Sequence, residues 1–180
     1  MIKKFFAAVL LTAMIIFAQN NLAQARFAYQ ANVEGIGWMQ EVKNGEVAGT
    51  TMQARRLEAL IINFDGGIKY SAHVENIGWQ NWKAGGNVAG TVGQNLRMEA
   101  IRIELAGGAE RHYDIYYRAH VENAGWLGWA KNGEPAGSAG ACLRMEAIQI
   151  QLVEKGRGFN RGDKPSFYQV VPKAPTGPTV

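Results

Sequence analysis

Short segments in which apolar and polar residues alternate recur along the whole chain. In Tyr70–Val74 every second side chain is apolar and would share one face of a strand, with His73 on the other face. Leu96–Leu105 alternates similarly, but its phase changes at Ala100–Ile101, which indicates a β-bulge or a strand covered on both faces. A helix is the competing interpretation of this second segment, and its β-branched residues favour a strand.

The same pattern is written three times, in residues 29–64, 70–105 and 117–152, here called copies 1, 2 and 3. Copies 2 and 3 align without gaps at 21 of 36 identical positions, and copies 1 and 2 at 17 of 36. Glycines recur at matched positions and mark turns. Glycine pairs also follow copies 1 and 2, so we expect hairpins that pair the last strand of one copy with the first strand of the next.

A repeated unit of this size cannot bury its apolar face alone, so the copies must pack on one another. The sequence therefore predicts an all-β domain over residues 26–155, in which three tandem repeats close with pseudo-threefold symmetry. A β-prism is the first choice and a β-trefoil is the alternative. An open solenoid is disfavoured, because it would leave two unpaired sheet edges.

The N-terminal 25 residues have the features of a secretory signal peptide. Lys3 and Lys4 precede the apolar run Phe5–Ala18, and Ala23-Gln24-Ala25 is a small-x-small cleavage motif. The run is shorter than a membrane span requires. We therefore expect cleavage after Ala25, a secreted or cell-surface protein, and no membrane span after cleavage.

The C-terminal residues 156–180 contain four of the five prolines and little periodicity. We expect a flexible or extended tail, in which Phe167–Val171 has the composition of one further strand. Arg161-Gly162-Asp163 is an integrin-type tripeptide, but motifs of this length are frequent by chance and it carries no assignment.

Composition and charge narrow the functional classes. A hydrophobic content of 47% is enough for a core and excludes a disordered chain. The net charge of +4 falls by two with the signal peptide, so a nucleic-acid partner is not expected. Cys142 is the single cysteine, which excludes an internal disulfide. Ala54 and Asn95 at the matched positions favour a small packing residue over a catalytic thiol.

Tryptophan recurs at two positions of the repeat. Trp38, Trp79 and Trp126 occur in all three copies, whereas Trp82 and Trp129 occur in two. A flat indole stacks on the apolar face of a sugar ring, so these side chains are candidate ligand contacts. Recurrence in every copy also predicts a core position. We favour burial for the first three, and both interpretations stay open for Trp82 and Trp129.

Histidine and glutamate are paired on the polar face of two strands, as His73 with Glu75 and His120 with Glu122. They are candidate contacts for sugar hydroxyls, although a cross-strand hydrogen bond is the favoured role. No metal, cofactor or catalytic motif is recognised. The candidate binding set is Trp79, Trp82, Trp126, Trp129, His73, His120, Glu75 and Glu122. A second repeated feature, expected to tie neighbouring copies together, is Arg56/Glu58, Arg97/Glu99 and Arg144/Glu146.

The repeat pattern Y-x-A-H-V-x-N-x-G-W-x-x-W, followed by G-x-x-A-G-T-x-G-x-x-L-R-x-E-A-I-x-I, resembles the clostridial hydrophobic repeats with a marker tryptophan, the ChW family. The resemblance covers residues 29–152 and is carried most clearly by Gly78-Trp79 and Leu96–Ile101. It implies exported, surface-associated, non-enzymatic modules for adhesion or for binding polysaccharides and proteins. Copy 1 departs from the pattern with Asn32, Met52 and Arg55, and Val42 is taken as its residue in place of the second tryptophan, so a site in copy 1 would be degenerate.

The first functional hypothesis is a non-catalytic module that recognises an extracellular glycan or a cell-surface protein. The alternative is a structural protein that self-assembles, in which the aromatic residues are buried. A small secreted hydrolase is least favoured, because Cys142, His112 and His120 are its only candidate groups besides nearby acids. Exposure of Trp82 and Trp129 distinguishes the first two hypotheses.

Overall fold

Strands account for nearly all regular structure in the computed structural model, which describes residues 26–170. One short 3-10 helix, Ala109–Arg111, is the only helical element within that range. None of the described residues forms a helix long and apolar enough to span a bilayer. The predicted signal peptide lies outside the described residues. The all-β class predicted from the alternating pattern is confirmed.

Each copy contributes two long strands with short strands between them. Copy 1 forms β1 (Phe27–Val33), β2 (Gly37–Trp38), β3 (Val42–Lys43), β4 (Val47–Gly49) and β5 (Leu57–Phe64). Copy 2 forms β6 (Ile68–Val74), β7 (Gly78–Trp79), β8 (Lys83–Ala84), β9 (Ala89–Gly90) and β10 (Met98–Leu105). Copy 3 forms β11 (Tyr113–Val121), β12 (Gly125–Trp126), β13 (Ala130–Lys131), β14 (Ala136–Ala139) and β15 (Met145–Glu154), and the tail adds β16 (Phe167–Gln169).

The two long strands of a copy pair with each other in antiparallel fashion, as β1 with β5, β6 with β10 and β11 with β15. The predicted hairpins between the last strand of one copy and the first strand of the next are therefore wrong. The glycine pairs between copies make turns that pass from one sheet to another, because the free edge of each last strand is already taken.

That free edge is taken by a short strand from another copy. The strand β4 of copy 1 pairs with β15 of copy 3, β9 of copy 2 pairs with β5 of copy 1, and β14 of copy 3 pairs with β10 of copy 2. The exchange is cyclic, and each of the three sheets combines strands from two copies. The sheets do not join into one barrel within residues 26–170.

Tyr29, Tyr70 and Tyr117 begin the repeat in each copy and are fully buried at the core. The hydroxyl of Tyr70 accepts a hydrogen bond from the Ile62 amide at 3.0 Å and donates to the Asn87 carbonyl at 2.5 Å. Ile62 lies on the last strand of copy 1, so this phenol bridges two copies. Tyr29 and Tyr117 make the matching bonds, to Ile150 and to Ile103, at 3.0 Å each.

The phase change predicted in Leu96–Leu105 corresponds to a β-bulge. The register between β6 and β10 shifts between Met98 and Ala100, so that Glu99 has no partner residue opposite it. The pairs β1/β5 and β11/β15 have register shifts at the same point of the repeat. The bulge places Met98 on the core face together with Ile101, although the two residues are three positions apart.

Candidate functional site

The tryptophans lie on the outer faces of the sheets and not in the core. Trp38 and Trp82 are each 38% exposed, and Trp79, Trp126 and Trp129 are half-buried. The favoured expectation of a tryptophan-filled core is therefore wrong. The buried tyrosines occupy that volume, and their hydroxyls find backbone partners there, so the indoles are left at the surface.

Two tryptophans and one arginine form a cluster on copy 2, here called the copy-2 platform: Trp79, Trp82 and Arg102. The Arg102 guanidinium carbon lies 4.0 Å from the centre of the Trp79 ring and 5.3 Å from that of Trp82. The ammonium of Lys69 lies 4.9 Å from the Trp82 ring. Two cations therefore flank a partly exposed indole.

Arg102 is not neutralised by the protein. No carboxylate lies within ion-pair distance of it among residues 26–170, and its Nε is buried without a hydrogen-bond partner. A cation held between two aromatic rings attracts an anionic group, because its own charge remains uncompensated. Lys69 differs in this respect, since it pairs with Glu104 at 2.8 Å.

Copy 3 has an equivalent cluster, the copy-3 platform: Trp126, Trp129 and Arg118. The Arg118 guanidinium carbon lies 4.8 Å and 4.7 Å from the two ring centres. Its Nε donates to Gln149 Oε1 at 2.9 Å, and burial lowers its pKa from the usual value. The guanidinium still carries its charge at neutral pH, because arginine titrates far above that range.

The two arginines are not matched in the aligned copies. Arg102 lies on β10 opposite Ser71, whereas Arg118 lies on β11 opposite Gln149. The two arginines belong to equivalent cross-strand pairs, but Arg102 lies on the last long strand of its copy and Arg118 on the first. Each of them therefore reaches the space between the two tryptophans of its platform. The sequence analysis missed both arginines, because only the register of the strands reveals their equivalence.

Copy 1 has no such platform. The assignment of its second tryptophan position to Val42 is wrong: Glu41 holds that position, because β3 begins at Val42 as β8 begins at Lys83. The cross-strand pair of copy 1 is Gln30 with Ile61. Glu41 is engaged by Arg26 and by Asn63. Trp38 is consequently an exposed indole without a neighbouring arginine, in accordance with the expected degeneracy of copy 1.

Each candidate histidine contacts the first tryptophan of its platform. His73 meets the Trp79 ring edge-on at 5.3 Å, and His120 meets Trp126 in the same way at 5.3 Å. The nearest acid is not the predicted one, because His73 Nδ1 lies 3.1 Å from Glu99 and His120 Nδ1 lies 3.1 Å from Glu146. Both distances are within the range of an ion pair, but neither contact has the geometry of a hydrogen bond, so both Nδ1 atoms are buried without a hydrogen-bond partner.

Glu75 and Glu122 are held by arginines of their own copies. Arg97 pairs with Glu75 and, at 2.9 Å, with Glu99. Burial alone would lower the pKa of Arg97, but these two carboxylates raise it above its usual value. Arg56 and Arg144 make the matching pairs in copies 1 and 3. The expected Arg–Glu pairs between copies are therefore wrong, since each cluster closes within one copy and ties the end of a long strand to its partner.

The other candidate groups lie apart from the platforms. Cys142 is exposed at a positive φ of 56°, so the expected role as a buried or half-buried packing residue is wrong. Within the described part of the chain, no cluster of His, Cys, Asp and Glu has the arrangement of a metal site. A groove of about 790 Å³ lies between copies 1 and 3 beside Arg26 and Tyr113, and none of the predicted site residues lines it.

The tail returns to copy 3. Its strand β16 pairs in parallel with β14, which confirms the strand predicted at this point. Arg161 of the integrin-type tripeptide donates from Nε to the Trp129 carbonyl at 2.9 Å and pairs with Glu134. The guanidinium of that tripeptide is therefore bound within the molecule.

The chain is an all-β protein of three repeats, and two of its three sheets carry an aromatic and cationic cluster on the outer face. The sequence profile described as ChW, Clostridial hydrophobic W, matches residues 32–66, 73–107 and 120–154. The chain belongs to this family, whose repeats are generally modules of surface proteins. Comparisons with curated proteins and with solved structures gave no match.

Proposed function

We propose that this protein is an exported, non-catalytic module that binds acidic glycans through the copy-2 platform. The observation that carries the proposal is the pairing of an exposed indole, Trp82, with an uncompensated cation, Arg102. A sugar ring stacks on the indole face, and a carboxylate, sulfate or phosphate on the same glycan meets the guanidinium. Arg102 lies on the long strand β10 and Trp82 directly precedes β8 of the same sheet, so neither residue must rearrange on binding.

The environment of the histidine supports binding and not catalysis. A general acid or base needs a side chain that reaches the reacting atoms. His73 lies against Trp79 and Glu99, and Glu75 is held by Arg97. These groups stabilise the position of the first tryptophan, which orients the platform.

A location outside the cytoplasm is part of the proposal, and it depends on cleavage after Ala25. Cleavage would make Arg26 the first residue, and its backbone nitrogen lies 3.0 Å from Asp65 Oδ2. The new α-ammonium group would then form an ion pair with that carboxylate. N-terminal sequencing of the exported protein tests this, with Arg26 as the expected first residue.

The cyclic exchange of strands supports the finer view of the fold, a β-prism with one sheet per face. Each sheet contains two long and two short strands of one copy together with a short strand from another copy, and β16 of the tail joins the sheet of copy 2. The three interfaces are thus of one kind, as pseudo-threefold symmetry requires. A crystal structure that shows a trefoil barrel would contradict this part of the proposal.

An array of uronic-acid, sialylated, sulfated, phosphorylated and neutral oligosaccharides tests the binding function. We expect wild-type protein to bind acidic members and W82A to bind them roughly tenfold more weakly or worse, since one stacked ring contributes about 1.4 kcal/mol. W38A is the matched control, because Trp38 is equally exposed but has no arginine beside it. Equal loss in both variants, or no binding by the wild type, would overturn the proposal.

A self-assembling surface protein is the second candidate, and one observation favours it. Ile36 and Ile77, at matched positions in copies 1 and 2, are each 50% exposed. Copy 3 has the smaller Ala124 at this position. Sedimentation of the wild type and of an I36S/I77S variant tests this candidate. Assembly of the wild type alone would support it, and a monomeric wild type would exclude it.

A further inference from the structure

A segment of the tail lies directly on the copy-3 platform. The Gly128 amide donates to the Pro165 carbonyl at 3.0 Å, and the Trp129 amide donates to the Arg161 carbonyl at 3.1 Å. The Lys164 ammonium lies 3.3 Å from the Trp126 carbonyl. The main chain next to both tryptophans is therefore bound by the protein's own tail.

Aromatic contacts seal the same segment. Phe159 stacks on Tyr116 with ring centres 4.0 Å apart and meets Trp129 edge-on at 5.1 Å. A shallow groove of about 410 Å³ remains between platform and tail, and both Arg118 and Asp163 line it. The tail thus brings an acidic side chain into the groove of the platform's arginine.

Gly128 leaves room for the tail, because it has no side chain. A Cβ atom on Gly128 would lie 1.8 Å from the Lys164 carbonyl oxygen, which no packing adjustment of a side chain can relieve. The matched positions in copies 2 and 1 are Asn81 and Gln40. The tail can therefore lie in this way on copy 3 and is sterically excluded from the other two copies.

We infer that the copy-3 platform is a second site for acidic glycans, covered by residues 159–165, and that Gly128 selects copy 3 for this cover. The inference rests on the proposed function of the copy-2 platform. Both platforms have two indoles, one arginine between them and a histidine against the first indole. Displacement of the tail would expose the copy-3 set and raise the number of glycan sites from one to two.

The G128N variant, which transfers the copy-2 residue to copy 3, tests the cover. Trypsin cleavage of the Arg161–Gly162 bond reports release of the tail without any glycan. We expect the wild type to resist cleavage, because Arg161 is bound through its carbonyl and guanidinium to Trp129 and Glu134 of copy 3, and G128N to be cut at least tenfold faster. Equal cleavage rates would overturn the role of Gly128. The F159S/R161S variant is a second means of releasing the tail and changes no residue of the sheets. In this variant a shifted tryptophan emission maximum reports the release.

Restoration of binding tests the second site. The uronic-acid, sialylated, sulfated and phosphorylated oligosaccharides of the array serve as probes in calorimetric titrations. We expect W82A to bind the probes roughly tenfold more weakly or worse, and W82A/G128N to regain one site of the original affinity per chain, which W129A then removes again. Tail release without regained binding in W82A/G128N would overturn this inference and leave the copy-2 site standing. A wild type that binds none of the probes would overturn both.

Discussion

Glycine is required wherever a short strand joins the sheet of another copy. Gly49, Gly90 and Gly137 have φ angles of 108°, 96° and 117°, which side chains rarely tolerate. A Cβ on Gly90 would also lie 2.3 Å from the Glu58 carbonyl oxygen. Backbone meets backbone at this point, so neither conformation nor space permits another residue.

We predict that G90A lowers the free energy of unfolding by about 3 kcal/mol, because backbone strain and a backbone clash add. Gly78 is the matched control. Its φ is 80°, but nothing lies within 4 Å of an added Cβ, so G78A should cost only about 1 kcal/mol. Urea unfolding of the two variants measures both values. Equal effects would show that the close approach at Gly90 does not matter.

The buried tyrosines make stability sensitive to alkaline pH. Burial raises the pKa of Tyr29 to about 12, and it raises the pKa values of Tyr70 and Tyr117 as well. In the unfolded chain these phenols ionise near pH 10, while the folded protein keeps them neutral. The stabilisation is therefore complete below pH 10 and is lost as the pH rises through the folded-state pKa.

We predict that Tyr29 alone accounts for a loss of about 2 to 3 kcal/mol between pH 10 and pH 12. Urea unfolding at a series of pH values measures the loss. Y29F should be less stable at neutral pH, since two hydrogen bonds are gone, but should decline less above pH 10. Y168F, which changes an exposed tyrosine, is the control and should follow the wild type. Parallel curves for Y29F and wild type would contradict the assignment.

At the residue scale the sequence shows candidates but not their partners. Trp82 is recognised because it recurs, yet its exposure depends on which aromatic residues fill the core. Arg102 and Arg118 give no repeat signal, because they come from opposite strands. Glu99 takes the histidine contact predicted for Glu75, since the bulge turns Glu99 toward His73.

At the scale of elements, the local pattern predicts where the long strands lie but does not predict which copies the short strands join. The long strands are predictable, because alternation over seven to ten residues is a local signal. The exchanged strands have only two to four residues, and their Ala-Gly motif does not specify a partner. Their cyclic pairing depends on how all three copies pack together. The local pattern therefore predicted hairpins between consecutive copies instead.

The cyclic exchange predicts that the three copies unfold together. Each copy completes the sheet of another, so no copy keeps its native edge when a neighbour unfolds. We expect G49A, G90A and G137A each to lower the midpoint of one common transition. Tryptophan fluorescence and far-ultraviolet circular dichroism should give coincident urea curves in every variant. A second transition in any variant would contradict this coupling.

At the scale of the whole molecule, one scaffold carries three different outer surfaces. Copy 1 has an isolated indole, copy 2 has an uncovered platform with a free cation, and copy 3 has the same platform beneath the tail. The buried faces keep the tyrosine, glycine and bulge in every copy, because the core depends on them. Differences accumulate on the outer faces, where folding tolerates them and ligand binding is decided.

Glycan binding by the copy-2 platform can be followed through the five indole N–H signals of the protein in a nitrogen-15 spectrum. The protein is titrated with the acidic oligosaccharides of the array, and each signal is assigned from a tryptophan variant. We expect the signals of Trp79 and Trp82 to shift with the bound fraction, while that of Trp38 stays in place. Glycan binding that leaves the Trp82 signal unmoved, or that shifts the Trp38 signal instead, would contradict binding by this platform.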